Sequence, residues 1–146
     1  LRNTVAAFKW SGNLGAWFRP QSVGVSVSTV PIDRVAQALP RLPGRRLAGL
    51  AVQRADDFDY TDPVDGSVSR AQGLRVFFDD GSRLVLRQSG TGTEGATLRL
   101  YLERFEADAA RHGIDTQTAL RPLIAAAEAL TRLRERSGRA APSVIT

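Results

Sequence analysis

Arg87-Gln88-Ser89-Gly90-Thr91-Gly92-Thr93 has the makings of an anion cradle. It continues through Glu94-Gly95-Ala96-Thr97 into a strand-like run that carries Arg99. Gly90, Gly92 and Gly95 admit backbone conformations that a side chain forbids, so successive N–H groups can turn toward one ligand. Ser89, Thr91 and Thr93 add hydroxyl donors. Arg87 supplies a planar, permanently charged fork that matches a phosphate, and Arg99 can return a second guanidinium to the same ligand. A Gly/Ser/Thr-rich hairpin connection without a ligand accounts for the same composition equally well. Two common nucleotide loops are excluded, because no Gly-Lys-Ser/Thr ending follows and the glycines are out of frame for Gly-x-Gly-x-x-Gly.

Other chemistries find little support. The chain has no cysteine, which removes disulfides, thiolate metal sites and thiol nucleophiles. His112 is the single histidine, so it has no second imidazole for a metal and reads as a surface residue. The acidic stretch from Asp56 to Asp62 lacks the Gly and Glu positions of a calcium loop. With Pro63 and Asp65-Gly66 just after it, it reads as a polar connection rather than a metal site. A net charge of +5 and a pI near 10.9 would fit nucleic acid. However, nineteen of the twenty cations are arginines scattered among acids, and the one dense basic stretch, Arg132–Arg136, ends a helix, where cations suit the macrodipole. No nucleic-acid partner is expected. Neither is a membrane, because no apolar run approaches the roughly 20 residues of a span.

The cradle needs strands to hold it. Gln72–Phe78 and Ser82–Leu86 read as a hairpin, with Leu74, Val76 and Phe78 alternating and Asp79-Asp80-Gly81 as the turn. Beyond the cradle, Leu98, Leu100 and Leu102 alternate with Arg99, Tyr101 and Glu103, which places Arg99 on the face away from the leucines. There it can meet a ligand or pair with Glu103. Leu47–Val52 is compatible with a first strand, and Glu103–Arg111 with either strand or short helix. A short amphipathic helix is predicted over 31–39, stopped by Pro40 and Pro43-Gly44. A long one is predicted from a cap near Asp115 to about Arg136, with Leu120, Leu123, Ile124, Ala127, Leu130 and Leu133 as its apolar stripe and Pro122 as an awkward member. Strands in hairpins covered by a long helix make an α+β layer.

Three separated stretches resemble the last domain of phosphoglucomutases of the phosphohexomutase superfamily. The first comprises Asp57-Phe58-Asp59-Tyr60-Thr61-Asp62-Pro63-Val64-Asp65-Gly66-Ser67 and Gln72-Gly73-Leu74-Arg75. The second is Arg87-x-Ser-Gly-Thr-Gly with Gly95-Ala-Thr-Leu-Arg-Leu-Tyr101, and the third runs from Arg136 to Thr146. The resemblance is good over 45–146, thins over 31–44 and hardly touches 1–30. It implies a TATA-binding-protein-like antiparallel sheet with the long C-terminal helix on one face. It also implies a phosphate-binding role for Arg87, Ser89, Gly90, Thr91, Gly92, Thr93 and Arg99. Members interconvert glucose 1-phosphate and glucose 6-phosphate through glucose 1,6-bisphosphate, using a phosphoserine and a Mg²⁺ ion held in other domains. The last domain grips the phosphate that is not transferred.

No phosphoserine motif and no Asp-rich metal loop occur in this sequence, so catalytic residues, metal and cofactor are not expected within it. On this reading the chain is a downstream piece of a longer isomerase, as its start at Leu1 and lack of methionine also indicate, and is inactive alone. Its partners would be a sugar phosphate and the upstream domains, and its location the cytoplasm, since no secretory segment opens it. The alternative is a stand-alone sugar-phosphate or phosphate binding module without catalysis. Residues 1–30, where Phe8, Trp10, Trp17 and Phe18 lie among small residues, read as a poorly ordered leader, with 31–44 as helix and linker and 45–146 as the domain proper.

Overall fold

The computed structural model describes residues 2–10, 31–92, 95–137, 140–142 and 144–145. Among them are strands β1 (Arg2–Trp10), β2 (Arg46–Leu47), β3 (Leu50–Thr61), β4 (Val68–Phe78), β5 (Arg83–Gly92), β6 (Gly95–Glu106) and β7 (Val144–Ile145). The helices are α1 (Pro31–Ala38), α2 (Thr116–Thr131) and α3 (Leu133–Ser137). The strands form one sheet in the order β2-β3-β4-β5-β6-β1-β7, antiparallel at each pairing. Both outermost strands are two residues long and pair with only two residues each of β3 and β1.

The period-2 pattern of the central strands determines where the core lies. Leu74, Val76 and Phe78 on β4, Leu84 and Leu86 on β5, and Leu98, Leu100 and Leu102 on β6 are all buried on one face. The same cluster takes in Val35 of α1 and Leu120, Leu123, Ala126, Ala127 and Leu130 of α2. The fold is therefore α+β, with helical residues closing the leucine face of an antiparallel sheet.

Asp115 caps α2 by accepting the Thr118 N–H at 2.9 Å. Pro122 lies inside that helix, on its exposed side. The long helix expected to reach Arg136 divides at Arg132, which adopts a left-handed conformation (φ 52) and donates its N–H to the Glu128 carbonyl.

Three further expectations meet a different local structure. Leu47–Val52 is not one strand, because Ala48 (φ 47) and Gly49 (φ 90) form a tight two-residue turn between β2 and β3. The acidic stretch is not a connection but the outer half of β3. The turn follows it at residues 62–66, where the Asp62 and Asp65 carboxylates accept the N–H groups of Val64 and Ser67. Residues 1–30 were expected to form a leader, yet Arg2–Trp10 is strand β1, in register with β6 from Arg2 opposite Glu106 to Trp10 opposite Leu98. Residues 11–30 lie outside the described residues.

Candidate functional site

β5 and β6 extend further than the sequence pattern suggested. The stretch expected to be an open loop is drawn into the sheet as far as Gly92 on one side and from Gly95 on the other. Within this hairpin Arg87 stands directly opposite Arg99, and Ser89 opposite Thr97. The register then slips before Gly92 meets Gly95, so Gly90 and Thr91 occupy an irregularity near the hairpin end. Thr93 lies outside the described residues. The structure thus brings Arg87, Ser89, Gly90, Thr91, Gly92 and Arg99 together on one hairpin, the two arginines sharing the face away from the core.

Directly opposed residues in an antiparallel pair have Cβ atoms roughly 5 Å apart, and like charges in that relation repel. Arg99 is moreover the register partner of Lys9 on β1, so three cationic positions follow one another across β5, β6 and β1. Elsewhere on this face arginines meet carboxylates. Asp56 holds Arg75 through two contacts, at 2.7 and 3.1 Å, and Arg54 at 2.8 Å. Glu103, the alternative partner considered for Arg99, instead engages Arg83. Arg87 is different. It donates from Nε to the Gln72 carbonyl at 2.9 Å and from Nη2 to Gln72 Oε1 at 3.1 Å, both neutral acceptors that leave its charge uncompensated by these contacts. Gln72 was quoted in the sequence only as part of a motif; contact with a residue fifteen positions away had no local signal.

The arrangement suits a doubly charged, oxygen-rich ligand. Two guanidinium groups provide charge-assisted, fork-shaped donors, and the small polar residues beyond them provide close backbone approach. His112 is half-buried, with Nε2 3.0 Å from the Glu106 carbonyl oxygen, away from the hairpin end. Among the described residues no three His, Asp or Glu side chains gather as a metal-binding group. No helix among them is long and apolar enough to cross a membrane.

Comparison with known proteins gives a consistent result. The chain is similar to a phosphoglucomutase of Rhizobium radiobacter, 56% identical over 110 residues that make up 75% of this chain and 20% of that protein. It is similar also to a cytoplasmic phosphoglucomutase of Populus tremula, 58% identical over 95 residues, or 65% of this chain and 16% of that one. Among solved structures it resembles the open form of the phosphoglucomutase pp63/parafusin from Paramecium, with a TM-score of 0.76, 32% identity, and coverage of 99% of this chain and 23% of that one. The chain therefore spans about a fifth or less of the length of these curated relatives. Residues 34–143, which carry both arginines and the whole hairpin between them, match the family described as phosphoglucomutase-1, C-terminal domain, and the chain belongs to that family.

Proposed function

We propose that this chain serves as the phosphate-gripping final domain of a phosphoglucomutase that interconverts glucose 1-phosphate and glucose 6-phosphate. The observation that supports it best is the pairing of Arg87 with Arg99 on the solvent face of β5 and β6, at the base of the Ser/Gly/Thr hairpin. The two forks hold the phosphate that is not being transferred, each well-formed charge-assisted contact contributing about 1.5–3 kcal/mol. Ser89, Gly90, Thr91, Gly92 and Thr93 complete the grip with hydroxyl and backbone donors. Because this phosphate is remote from the reacting group, its binding energy orients the sugar and favours closure over it.

The phosphoryl donor, the Mg²⁺ ion and the exchange with glucose 1,6-bisphosphate belong, on this reading, to upstream domains of a longer polypeptide. The residues here have no part in those steps beyond holding the sugar phosphate. The enzyme is assigned to the cytoplasm by analogy with the Populus relative, whose name carries that word.

A chemical-shift titration of the chain with glucose 6-phosphate tests the assignment. Resonances of β5 and β6 around Arg87 and Arg99 should move, and Arg87→Lys or Arg99→Lys should weaken binding more than Ser89→Ala, because lysine keeps the charge and loses the fork. If Arg99→Lys titrates like the unaltered chain while Arg111→Lys does not, the site lies elsewhere. A coupled assay with glucose 1-phosphate, the bisphosphate and Mg²⁺ should detect no turnover by the chain alone; turnover that survives removal of host enzyme contradicts that part.

A further inference from the structure

β4 departs from regular pairing beside Arg87. Between the pairs Phe58 with Gly73 and Tyr60 with Ser69, one residue of β3, Asp59, faces three of β4: Arg70, Ala71 and Gln72. Such a bulge re-aims the side chains on the longer strand. This one is held in a costly conformation, since Ala71 adopts φ 51, a region that L-residues rarely enter. The Asp59 carboxylate holds it there by accepting the Ala71 N–H at 2.9 Å. Gln72 is then fixed at both ends of its amide. Its Nε2 donates to the Arg70 carbonyl at 3.1 Å, which turns Oε1 toward Arg87 Nη2, while its own backbone carbonyl takes Arg87 Nε. Gly73 completes the arrangement, because a Cβ there would lie 2.8 Å from Arg87 Cγ.

We propose that the Ala71–Gly73 bulge of β4 is a positioning device for Arg87: Gln72 clamps the guanidinium and Gly73 clears its path, so the fork is aimed before a sugar phosphate arrives. The inference rests on the phosphate-binding reading above. Two of the five N–H donors of the guanidinium are used by the clamp, and the remainder are available to an anion without first freezing a flexible chain. Ordering a long side chain at the moment of binding lowers affinity, and a side chain already ordered escapes that penalty. The clamp uses neutral acceptors, where a carboxylate would fix the fork equally well but cancel the charge it presents.

The test compares the unaltered chain with Gln72→Met, which keeps length and removes the acceptor Oε1, with Arg87→Lys, and with the double variant. Glucose 6-phosphate affinity is read by chemical-shift titration. In the ligand-free proteins, the Arg87 Nε–H resonance is read by hydrogen exchange. Gln72→Met should raise the dissociation constant about three- to tenfold, the usual range for one hydrogen bond, and speed exchange at Arg87 Nε. On the Arg87→Lys background the same change should alter affinity less than about twofold, because the two act as a unit. A residue with a merely structural role would weaken binding equally in both backgrounds, and that result would overturn the inference. So would a Gln72→Met chain that titrates and exchanges like the unaltered one, which leaves the phosphate reading standing. If the unaltered chain fails to bind glucose 6-phosphate, both readings fall together.

Discussion

Replacing Gly73 by alanine tests the geometry of β4 most severely. Gly73 has φ 152, where an L side chain is strained; holding a residue in such a region costs about 1–3 kcal/mol. The added Cβ would sit 2.5 Å from the Leu86 carbonyl oxygen, 2.8 Å from Arg87 Cγ and 3.1 Å from Phe58 Cε1. Arg87 can swing aside, but Leu86 cannot. It is fully buried, and its strand is paired on both sides, with Leu74 across from it on β4 and Leu100 on β6. Relief therefore means prising β4 from β5, an overpacking penalty of about 1–3 kcal/mol. The combined loss of about 2–6 kcal/mol is a large part of the roughly 5–15 kcal/mol that holds a domain together. Gly81→Ala is the matched control. It has φ 79 but nothing within 4 Å of its would-be Cβ, so it should cost only the backbone strain, about 1–2 kcal/mol. Urea unfolding of both variants measures the difference, with an unchanged slope showing that the unfolded state is the same. A Gly73→Ala chain within about 0.5 kcal/mol of the unaltered one, the range of an inconsequential surface change, would refute the close approach of β4 and β5.

Removing residues 1–10 takes β1 from between β6 and β7, so the unfolding free energy should fall by about 2 kcal/mol or more, the scale of uncovering one large apolar side chain, read as a lower urea midpoint. An unchanged midpoint would show that β1 is dispensable. Asp115→Ala should cost about 1 kcal/mol through loss of the α2 cap, read as a lowered midpoint in urea. Asp65, at the β3–β4 turn, titrates below the ordinary carboxylate range because the Ser67 hydroxyl, and after it the Ser67 N–H, favour its charged form. Its folded value being depressed, the stabilisation it gives is present above the unfolded pKa and lost as pH falls through the folded one. Ser67→Ala should raise the Asp65 pKa in an NMR titration.

The sequence revealed those elements whose pattern is local. β4, β5 and β6 declare themselves through alternating leucines, and α2 through its stripe, because burial on one face imposes a period that neighbouring residues share. The outer half of β3 was hidden by its composition, since aspartate is disfavoured in strands. What compensates is non-local: Arg75 reaches across from β4 to Asp56, and the guanidinium of Arg54 lies 3.4 Å from the Phe77 ring centroid. β1 was hidden for a related reason. Its partner β6 lies some ninety residues away, and nothing within Arg2–Trp10 names that partner. The break at Arg132 depends on a left-handed residue that is not glycine, held by its fork on Glu135 while the Glu128 carboxylate accepts the Arg134 N–H. At the site, the residue types in the hairpin and the side of the sheet carrying Arg99 were legible. The register that sets Arg99 opposite Arg87, and the Gln72 contacts, belong to the folded sheet alone.

That register is where the physics of stability and of binding part company. Cross-strand pairs of opposite charge stabilise a sheet and like pairs weaken it. On this face the rule is kept at Arg75 with Asp56 and at Arg83 with Glu103, then broken in the adjoining row, where Arg87, Arg99 and Lys9 succeed one another across three strands. Carboxylates are not scarce here, since the same sheet face carries one four residues along β6, at Glu103. A sheet selected for stability alone would have placed one opposite Arg87. Local rules are broken where function requires it, and an anion bound between the forks would turn the repulsion into attraction. The neutral clamp at Gln72 fits the same logic, because it restrains Arg87 without discharging it. On the proposed reading, the repulsion within the row and its affinity for a phosphate would be two consequences of a single placement of charge.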